Sequence, residues 1–275
     1  MTATVQTRTL PATTPSSSRS GVSVGVDGSP CGEIAALWAA DEARRLGVPL
    51  TIVHAAQPSD RVRHGPSGSR VVLARTAANV NAHHPELSVT TELSHLSPAD
   101  VLEAVSRGSS LIVTGARGRG GTARMLTGSV TRTLVAHAHC PLVVVPSAPM
   151  RDVTDDVVLG IGTGESEATI QYAFEAARRL RARLTVVRAC TSPTPTTAEI
   201  EGAIAPLRVE WPDVPTRTVV RQGDAASVLL AAARRSRLLV VGARRQRGPL
   251  AVGAGYVVDG LIAHSQVPVA VVPQP

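Results

Sequence analysis

The stretch Ser110-Leu-Ile-Val-Thr-Gly-Ala-Arg117 recurs later in the chain as Arg237-Leu-Leu-Val-Val-Gly-Ala-Arg244. Two further pairs are Leu50-Thr-Ile-Val-His-Ala55 with Leu184-Thr-Val-Val-Arg-Ala189, and Cys140-Pro-Leu-Val-Val-Val-Pro146 with Val267-Pro-Val-Ala-Val-Val-Pro273. The copies lie roughly 130 residues apart and keep the same order, a period that indicates tandem domains rather than a solenoid. The sequence therefore predicts two copies of one domain.

Composition sets the boundaries of the two copies. Residues 1–20 are rich in Thr, Ser and Pro and are expected to form a disordered tail without the apolar core of a signal peptide. A polar stretch that contains proline separates the copies. We predict a first domain over residues 21–147, a linker over 148–154 and a second domain over 155–275.

Strand-like and helix-like segments alternate within the first copy. Ser29-Pro30 is a helix N-cap followed by proline at the first helical position, and Gly47 is suited to end that helix. Leu111–Thr114 and Leu142–Val145 are continuously apolar, as in parallel strands covered on both faces. The predicted fold class is α/β, with two tandem doubly wound domains, each holding a mostly parallel five-stranded sheet flanked by helices.

Composition excludes several classes of protein. The 275 residues are 43% hydrophobic and 18% charged, which is typical of a globular protein, and no apolar run is long enough to span a membrane. All 28 basic residues are arginine, so a lysine Schiff base and a lysine-containing P-loop are excluded. The net charge of +7 fits either compositional bias or an anionic ligand. Three widely spaced cysteines favour a reducing, cytoplasmic location.

The candidate ligand site lies where two strands end. In a doubly wound sheet, ligands bind at the carboxyl ends of the strands where the strand order reverses. The first predicted strand runs into Val26-Asp27, and the fourth ends at Thr114-Gly115. If these strands are neighbours at the reversal, Asp27 and Gly115 face one crevice.

A glycine signature, Gly115-x2-Gly118-x9-Gly128-Ser129, follows the fourth strand. Gly115 and Gly118 are expected to adopt positive φ and to let the backbone approach a ligand closely. Gly128-Ser129 opens a predicted helix whose free amides and dipole favour phosphate, and the Asp27 carboxylate suits a ribose hydroxyl pair. Arginines that could add charge-assisted contacts in the same segment are Arg117, Arg119 and Arg124.

These motifs, with His54-Ala55 and the terminal Pro-Leu-Val-Val-Val-Pro strand, resemble the universal stress protein family across residues 20 to 275. The resemblance implies that family's fold, which is similar to adenine-nucleotide alpha-hydrolases, and suggests its ATP-binding branch. By position, the nucleotide-binding roles fall on Val26, Asp27, Ala55, Thr114, Gly115, Gly118, Gly128, Ser129 and Val130.

The resemblance also implies partners. Mg²⁺ or Mn²⁺ would accompany ATP, held mainly by phosphates and water. The two domains, or two chains, would pair through the terminal strands Leu142–Val145 and Val269–Val272, because pairing satisfies the backbone groups of strand edges.

The second copy departs from the pattern at four positions. Gly162 stands where Asp27 is expected, and the signature reads Gly242-x2-Arg245-x9-Gly255-Tyr256, with Arg245 and Tyr256 as replacements. Arg188 replaces His54. We expect the side chains at 245 and 256 to obstruct phosphate, so the second domain should bind ATP weakly or not at all.

Three functions fit these observations. The favoured one is a stress-response module regulated by ATP in the first domain. No carboxylate accompanies the glycine signature, so an enzyme is not expected, and a weak ATP hydrolase remains the first alternative. The second alternative is an interaction protein that needs no nucleotide, in which Asp27 merely caps a helix. Nucleic-acid binding is disfavoured because aromatic residues make up only 2% of the chain.

Overall fold

The computed structural model describes residues 6–9, 20–56, 67–118, 128–147, 152–162, 164–190, 197–244 and 255–274. The chain divides into two compact units, Met1–Ser147 and Ala148–Pro275. Each unit is an α/β domain built on a parallel sheet, as the sequence predicts.

The first unit has helices on a sheet of strand order β1-β4-β3-β2-β5-β6, with every pair parallel. Its strands are β1 (Gln6–Thr9), β2 (Val22–Gly25), β3 (Leu50–Ala55), β4 (Val89–Ser94), β5 (Leu111–Gly115) and β6 (Leu142–Val145). Its helices are α1 (Pro30–Leu46), α2 (Gly68–His83), α3 (Pro98–Ser106) and α4 (Ser129–His137). The chain winds outward from β2 to β4 and then returns to the other side of β2, which makes the sheet doubly wound.

Strand β1 corrects one expectation. Residues 1–20 were predicted to be disordered, but Gln6–Thr9 pairs in parallel with β4, and Gln6 lies opposite Thr90. Without it, β4 would present a row of unpaired backbone groups at the sheet edge, and threonine is a favourable strand residue. The first sheet therefore has six strands rather than five. Residues 1–5 and 10–19 of the predicted tail lie outside the described part of the chain.

The second unit repeats the architecture with a parallel sheet of order β11-β10-β7-β8-β9. Its strands are β7 (Asp156–Gly160), β8 (Arg183–Cys190), β9 (Thr216–Gln222), β10 (Leu238–Arg244) and β11 (Val269–Gln274). Its helices are α5 (Glu167–Leu180), α6 (Ala198–Glu210), α7 (Ala225–Ala233) and α8 (Tyr256–His264). The five strands expected from the sequence are all present here.

Local sequence signals place α1 as predicted. The Ser29 Oγ atom accepts a hydrogen bond from the amide of Gly32 at 3.1 Å, and Pro30 occupies the first helical position. Gly47 ends the helix at φ 67°, a left-handed conformation that glycine adopts without strain. Ala35 and Ala39 on this helix are completely buried, so the helix approaches the sheet closely.

The cores are aliphatic, since Val, Leu, Ile and Ala supply almost all of the buried apolar side chains in the described ranges. Within those ranges, no helix is both long and apolar enough to cross a bilayer.

Candidate functional site

The reversal of strand order in the first unit lies between β2 and β5. Strand β2 is hydrogen-bonded to both β3 and β5, and Gly25 lies opposite Val53 on one side and Thr114 on the other. The expectation that the first and fourth predicted strands are neighbours is therefore confirmed. Both strands therefore end at the same edge of the sheet. Asp27 follows β2 at this edge, and Gly115 is the last residue of β5.

The turn after β2 holds the Asp27 carboxylate at the start of α1. Asp27 Oδ1 accepts a hydrogen bond from the amide of Ser29 at 2.9 Å. A Cβ atom added at Gly32 would lie 3.2 Å from the same oxygen. One carboxylate oxygen of Asp27 thus orders the turn before α1, whereas Ser29 caps the helix.

Gly118 lies against the other oxygen of this carboxylate. A Cβ atom added at Gly118 would stand 3.1 Å from Asp27 Oδ2, closer than nearly all real Cβ contacts. Two residues 91 positions apart in the chain, predicted independently to contact ribose and phosphate, are therefore brought together. Because residue 118 is glycine, it places no side chain over the Asp27 carboxylate.

At Gly115 and Gly118, glycine is favoured because a side chain would be crowded, not because the backbone adopts a left-handed conformation. The prediction of positive φ at Gly115 and Gly118 is wrong, since neither lies in the left-handed region. At Gly115, an added Cβ would lie 2.8 Å from Cys31 Sγ and 3.1 Å from the Cys31 carbonyl oxygen. Close contact between the end of β5 and the first turn of α1 is what requires glycine there.

We expect Gly115→Ala to destabilise the chain by about 1–3 kcal/mol, because a methyl group has no room beside the Cys31 backbone. Urea unfolding would measure the loss. Gly108→Ala is the matched control, since the atom nearest to an added Cβ there is a carbonyl oxygen 4.0 Å away. Equal stability of the two variants would contradict the crowding argument.

Three further residues that the resemblance assigns to nucleotide binding, Val26, Ala55 and Thr114, line the same edge. The Val26 amide donates to Val53 O at 2.9 Å, and the Val26 carbonyl accepts from His54 Nδ1 at 2.7 Å, which gives the buried histidine a structural role. Ala55 is buried at the end of β3. Thr114 is 5% exposed, and its Oγ1 has no hydrogen-bond partner within the described ranges. A buried hydroxyl of this kind fits a polar ligand atom.

Among the residues that the structure describes, no side chain caps the start of helix α4. Gly128 at its N-cap has extended backbone, and the first turn contains no acidic residue. Ser129 is exposed, Val130 is half-buried, and a Cβ added at Gly128 would meet nothing within 4 Å. The first amides of this helix are thus suited to an anion.

The arginines expected beside the signature are only partly described. Arg117 is exposed at the end of β5, whereas Arg119 and Arg124 lie outside the described residues. Instead, α2 supplies a cation that sequence reasoning missed. Arg75 Nη2 donates to the Gly28 carbonyl at 3.1 Å and lies 3.0 Å from Glu33 Oε1. Arg75 is 47 positions from Gly28, so no local motif could have identified it.

The corresponding edge of the second unit is occupied by its own side chains. Glu165 Oε2 accepts a hydrogen bond from the Gly162 amide at 3.2 Å, and Glu165 Oε1 accepts one from Gln274 Nε2. A Cβ atom added at Gly242, the counterpart of Gly115, would overlap both of these side chains. A carboxylate and an amide thus fill the position over the backbone glycine.

Of the two predicted obstructions, the structure describes only Tyr256, and the obstruction by Arg245 stays a prediction. Tyr256 was expected to block phosphate, but its side chain is 84% exposed, and Arg245 lies outside the described residues. The remaining cavity at this edge has a volume of about 120 Å³. Sites for molecules of nucleotide size are generally about 300 Å³ or larger. Arg188, the replacement for His54, forms a 2.7 Å ion pair with Glu199 at this cavity.

Metal binding by the protein alone has no candidate in the described ranges. No group of three His, Cys, Asp or Glu side chains there is arranged to hold a metal ion. A divalent cation at the first unit would depend on ligand phosphates.

Comparison with known proteins links both units to one family. The model of the universal stress protein family matches residues 21–146 and 154–273. Universal stress protein Rv2005c of Mycobacterium tuberculosis is 31% identical over 92% of this chain and 97% of its own length. Rv1996 of the same organism is 28% identical, with 91% of this chain and 94% of its own length covered. A universal stress protein structure from Archaeoglobus fulgidus has a TM-score of 0.74, with 15% identity and coverage of 94% of this chain and 100% of that one.

Proposed function

Because the chain belongs to the universal stress protein family, we propose that its first unit binds ATP and that nucleotide occupancy regulates a stress response. The observation that carries this proposal is the meeting of Gly118 with the Asp27 carboxylate at the strand-order reversal. The edge combines an acceptor for ribose hydroxyls, a glycine backbone and an uncapped helix N-terminus. Nucleotide sites in doubly wound sheets use these elements together.

The described residues offer a place for each part of ATP. Asp27 Oδ2 would accept from the ribose, and the amides at the start of α4 would donate to phosphate. Val26, Ala55 and Thr114 would surround the base, and the unpartnered Thr114 hydroxyl supplies a polar contact there. Gly115 and Gly118 would keep the intervening backbone free of side chains.

We further propose that only the first unit binds ATP. In the second unit, the Glu165 carboxylate accepts a hydrogen bond from the amide of Gly162, the residue aligned with Asp27, and so adds a negative charge at the strand ends where ATP would have to bind. If ATP displaced the Glu165 carboxylate, the hydrogen bonds of Glu165 would break. If the carboxylate stayed, its negative charge would repel the phosphates. Both effects oppose binding. The cavity of about 120 Å³ at that edge is too small for ATP.

The proposed module has no designed catalytic step. Hydrolysis needs a group that orients the attacking water and a stabiliser of the developing charge. The Asp27 carboxylate is engaged with the Ser29 amide and lies at the ribose end of the proposed site. If ATP is accompanied by Mg²⁺ or Mn²⁺, the phosphates and water would hold most of its coordination sphere.

We expect no phosphate release above background when the purified chain is saturated with Mg-ATP. A sensitive phosphate assay over several hours would measure this, with Asp27→Ala as the reference for contaminating hydrolases. Turnover that disappears in Asp27→Ala would contradict the regulatory module and favour the alternative of a weak hydrolase.

Mass spectrometry of the small molecules released from purified protein tests the nucleotide directly. ATP released in proportion to protein supports the proposal. Absence of nucleotide, together with no heat on titration with ATP, would favour an interaction protein that needs no nucleotide.

Two further parts of this proposal stay predictions. One is pairing, within a chain or between two chains, through the terminal strands Leu142–Val145 and Val269–Val272. The other is a cytoplasmic location.

A further inference from the structure

The turn after the first helix of each unit is duplicated, with three substitutions. Arg44-Arg45-Leu46-Gly47-Val48-Pro49 in the first unit aligns with Arg178-Arg179-Leu180-Arg181-Ala182-Arg183 in the second. Arginine thus stands at 181 where the twin has glycine, and again at 183 where the twin has proline. Each turn connects the first helix of its unit to the next strand, so the two turns can be compared residue by residue.

Arg181 occupies an unfavourable backbone conformation. It ends α5 at φ 51° and ψ 45°, and Gly47 ends α1 at φ 67° and ψ 31°. Both backbone amides donate to carbonyls three and four residues earlier. Glycine adopts this conformation without the steric cost that an arginine incurs. The backbone conformation at this position favours glycine, so helix capping does not explain the arginine.

That side chain lines a crevice of about 370 Å³ at the edge of the sheet where β7 and β8 begin. The lining residues are Asp155, Ala177, Arg178, Arg181, Ala182, Arg183, Asp213 and Pro215. Arg181 is exposed, and its guanidinium makes no hydrogen bond or ion pair with any side chain that the structure describes. The crevice is large enough for a small phosphorylated molecule.

The other two arginines are held only weakly. Arg178 pairs with Asp213 at 3.0 Å, but both side chains are more than half exposed. Arg183 Nη1 lies 3.9 Å from Asp156 Oδ1. Exposed ion pairs contribute little to stability, so both guanidinium groups are available to a doubly charged anion. Asp155 forms an ion pair with Arg237, and Asp213 forms one with Arg178, so a guanidinium group neighbours each carboxylate of the crevice.

We propose that this crevice binds a small phosphate-bearing molecule, with the Arg181 guanidinium as its anchor and Arg178 and Arg183 as supporting contacts. Arginine is the side chain best matched to phosphate, because its planar N–H groups donate to two oxygens at once. The crevice lies where β7 and β8 begin, whereas the strand ends that correspond to the proposed ATP site of the first unit are at the other end of these strands. It does not depend on ATP binding by the first unit.

The test uses the full chain, with inorganic pyrophosphate as the probe at constant ionic strength. NMR would follow the backbone amides of Ala177, Ala182 and Asp213, which report on this crevice alone. We expect saturable shifts in the wild type. Arg181→Gly, which restores the residue of the twin turn, should weaken binding at least tenfold. The same variant should raise the melting temperature by about 2–4 °C, because it relieves the left-handed arginine.

Arg179→Ala is the matched control, since it removes the same charge from the same helix end but does not line the crevice. Its affinity for pyrophosphate should stay within twofold of the wild type. Unchanged binding in Arg181→Gly, equal weakening in Arg179→Ala, or shifts that never saturate would each overturn the proposal. Because the readout is local to the second unit, failure of ATP binding elsewhere would leave the result intact.

Discussion

Gly118→Arg is expected to weaken ATP binding by about a hundredfold or more, which corresponds to about 2.7 kcal/mol. A Cβ atom at this position would lie 3.1 Å from Asp27 Oδ2, so the carboxylate must shift before any side chain fits. The guanidinium would then be attracted to that carboxylate and would occupy the acceptor proposed for ribose. Isothermal titration with ATP would measure the loss.

The control for this variant is Gly202→Arg in α6 of the second unit. Position 202 is exposed, and a Cβ atom added there meets nothing within 4 Å. It adds the same charge to the chain without touching the proposed site, so affinity for ATP should match the wild type. If Gly118→Arg also binds ATP normally, the assignment of the glycine signature to phosphate is wrong.

Asp27→Ala is expected to lower the affinity for ATP by about 10- to 100-fold, as for the loss of hydrogen bonds to a charged acceptor. Asp27→Asn should lie between this variant and the wild type, because an amide oxygen can still accept from the Ser29 amide and from one hydroxyl. Titration calorimetry gives the affinities, and thermal unfolding gives the stability of each variant.

The pair of variants separates ligand binding from helix capping. If Asp27 only orders the turn, Asp27→Ala should lose stability, and its affinity for ATP should equal that of the wild type once both are folded. A loss of affinity in Asp27→Asn, with stability kept, would require the carboxylate itself to contact the ligand.

The fold could be predicted because its signals are local or repeated. Ser29, Pro30 and Gly47 mark both ends of α1, and the apolar runs of β5 and β6 have the continuous pattern of buried parallel strands. Strand β1 could not be predicted in the same way. Its sequence resembles a polar tail, and only the open edge of β4 gives it a partner.

The candidate site was predictable at the strand ends and less so across the chain. Asp27 and Gly118 could be proposed from motifs, but the contact between them depends on tertiary structure. Arg75 reaches the Gly28 carbonyl from a helix with no recognisable motif. In the second unit, the substitution visible in the sequence is Tyr256, which is exposed. The side chains that lie over Gly242 are those of Glu165 and Gln274. Long-range polar contacts of this kind leave no periodic pattern in a sequence.

A crystal structure of the full chain grown with ATP would test the central claim most directly. We predict one nucleotide per chain, with its ribose at Asp27, its phosphates at the start of α4, and Glu165 still seated over Gly242. Nucleotide bound in the second unit alone would contradict the claim, as would an ATP-saturated crystal with the first unit vacant.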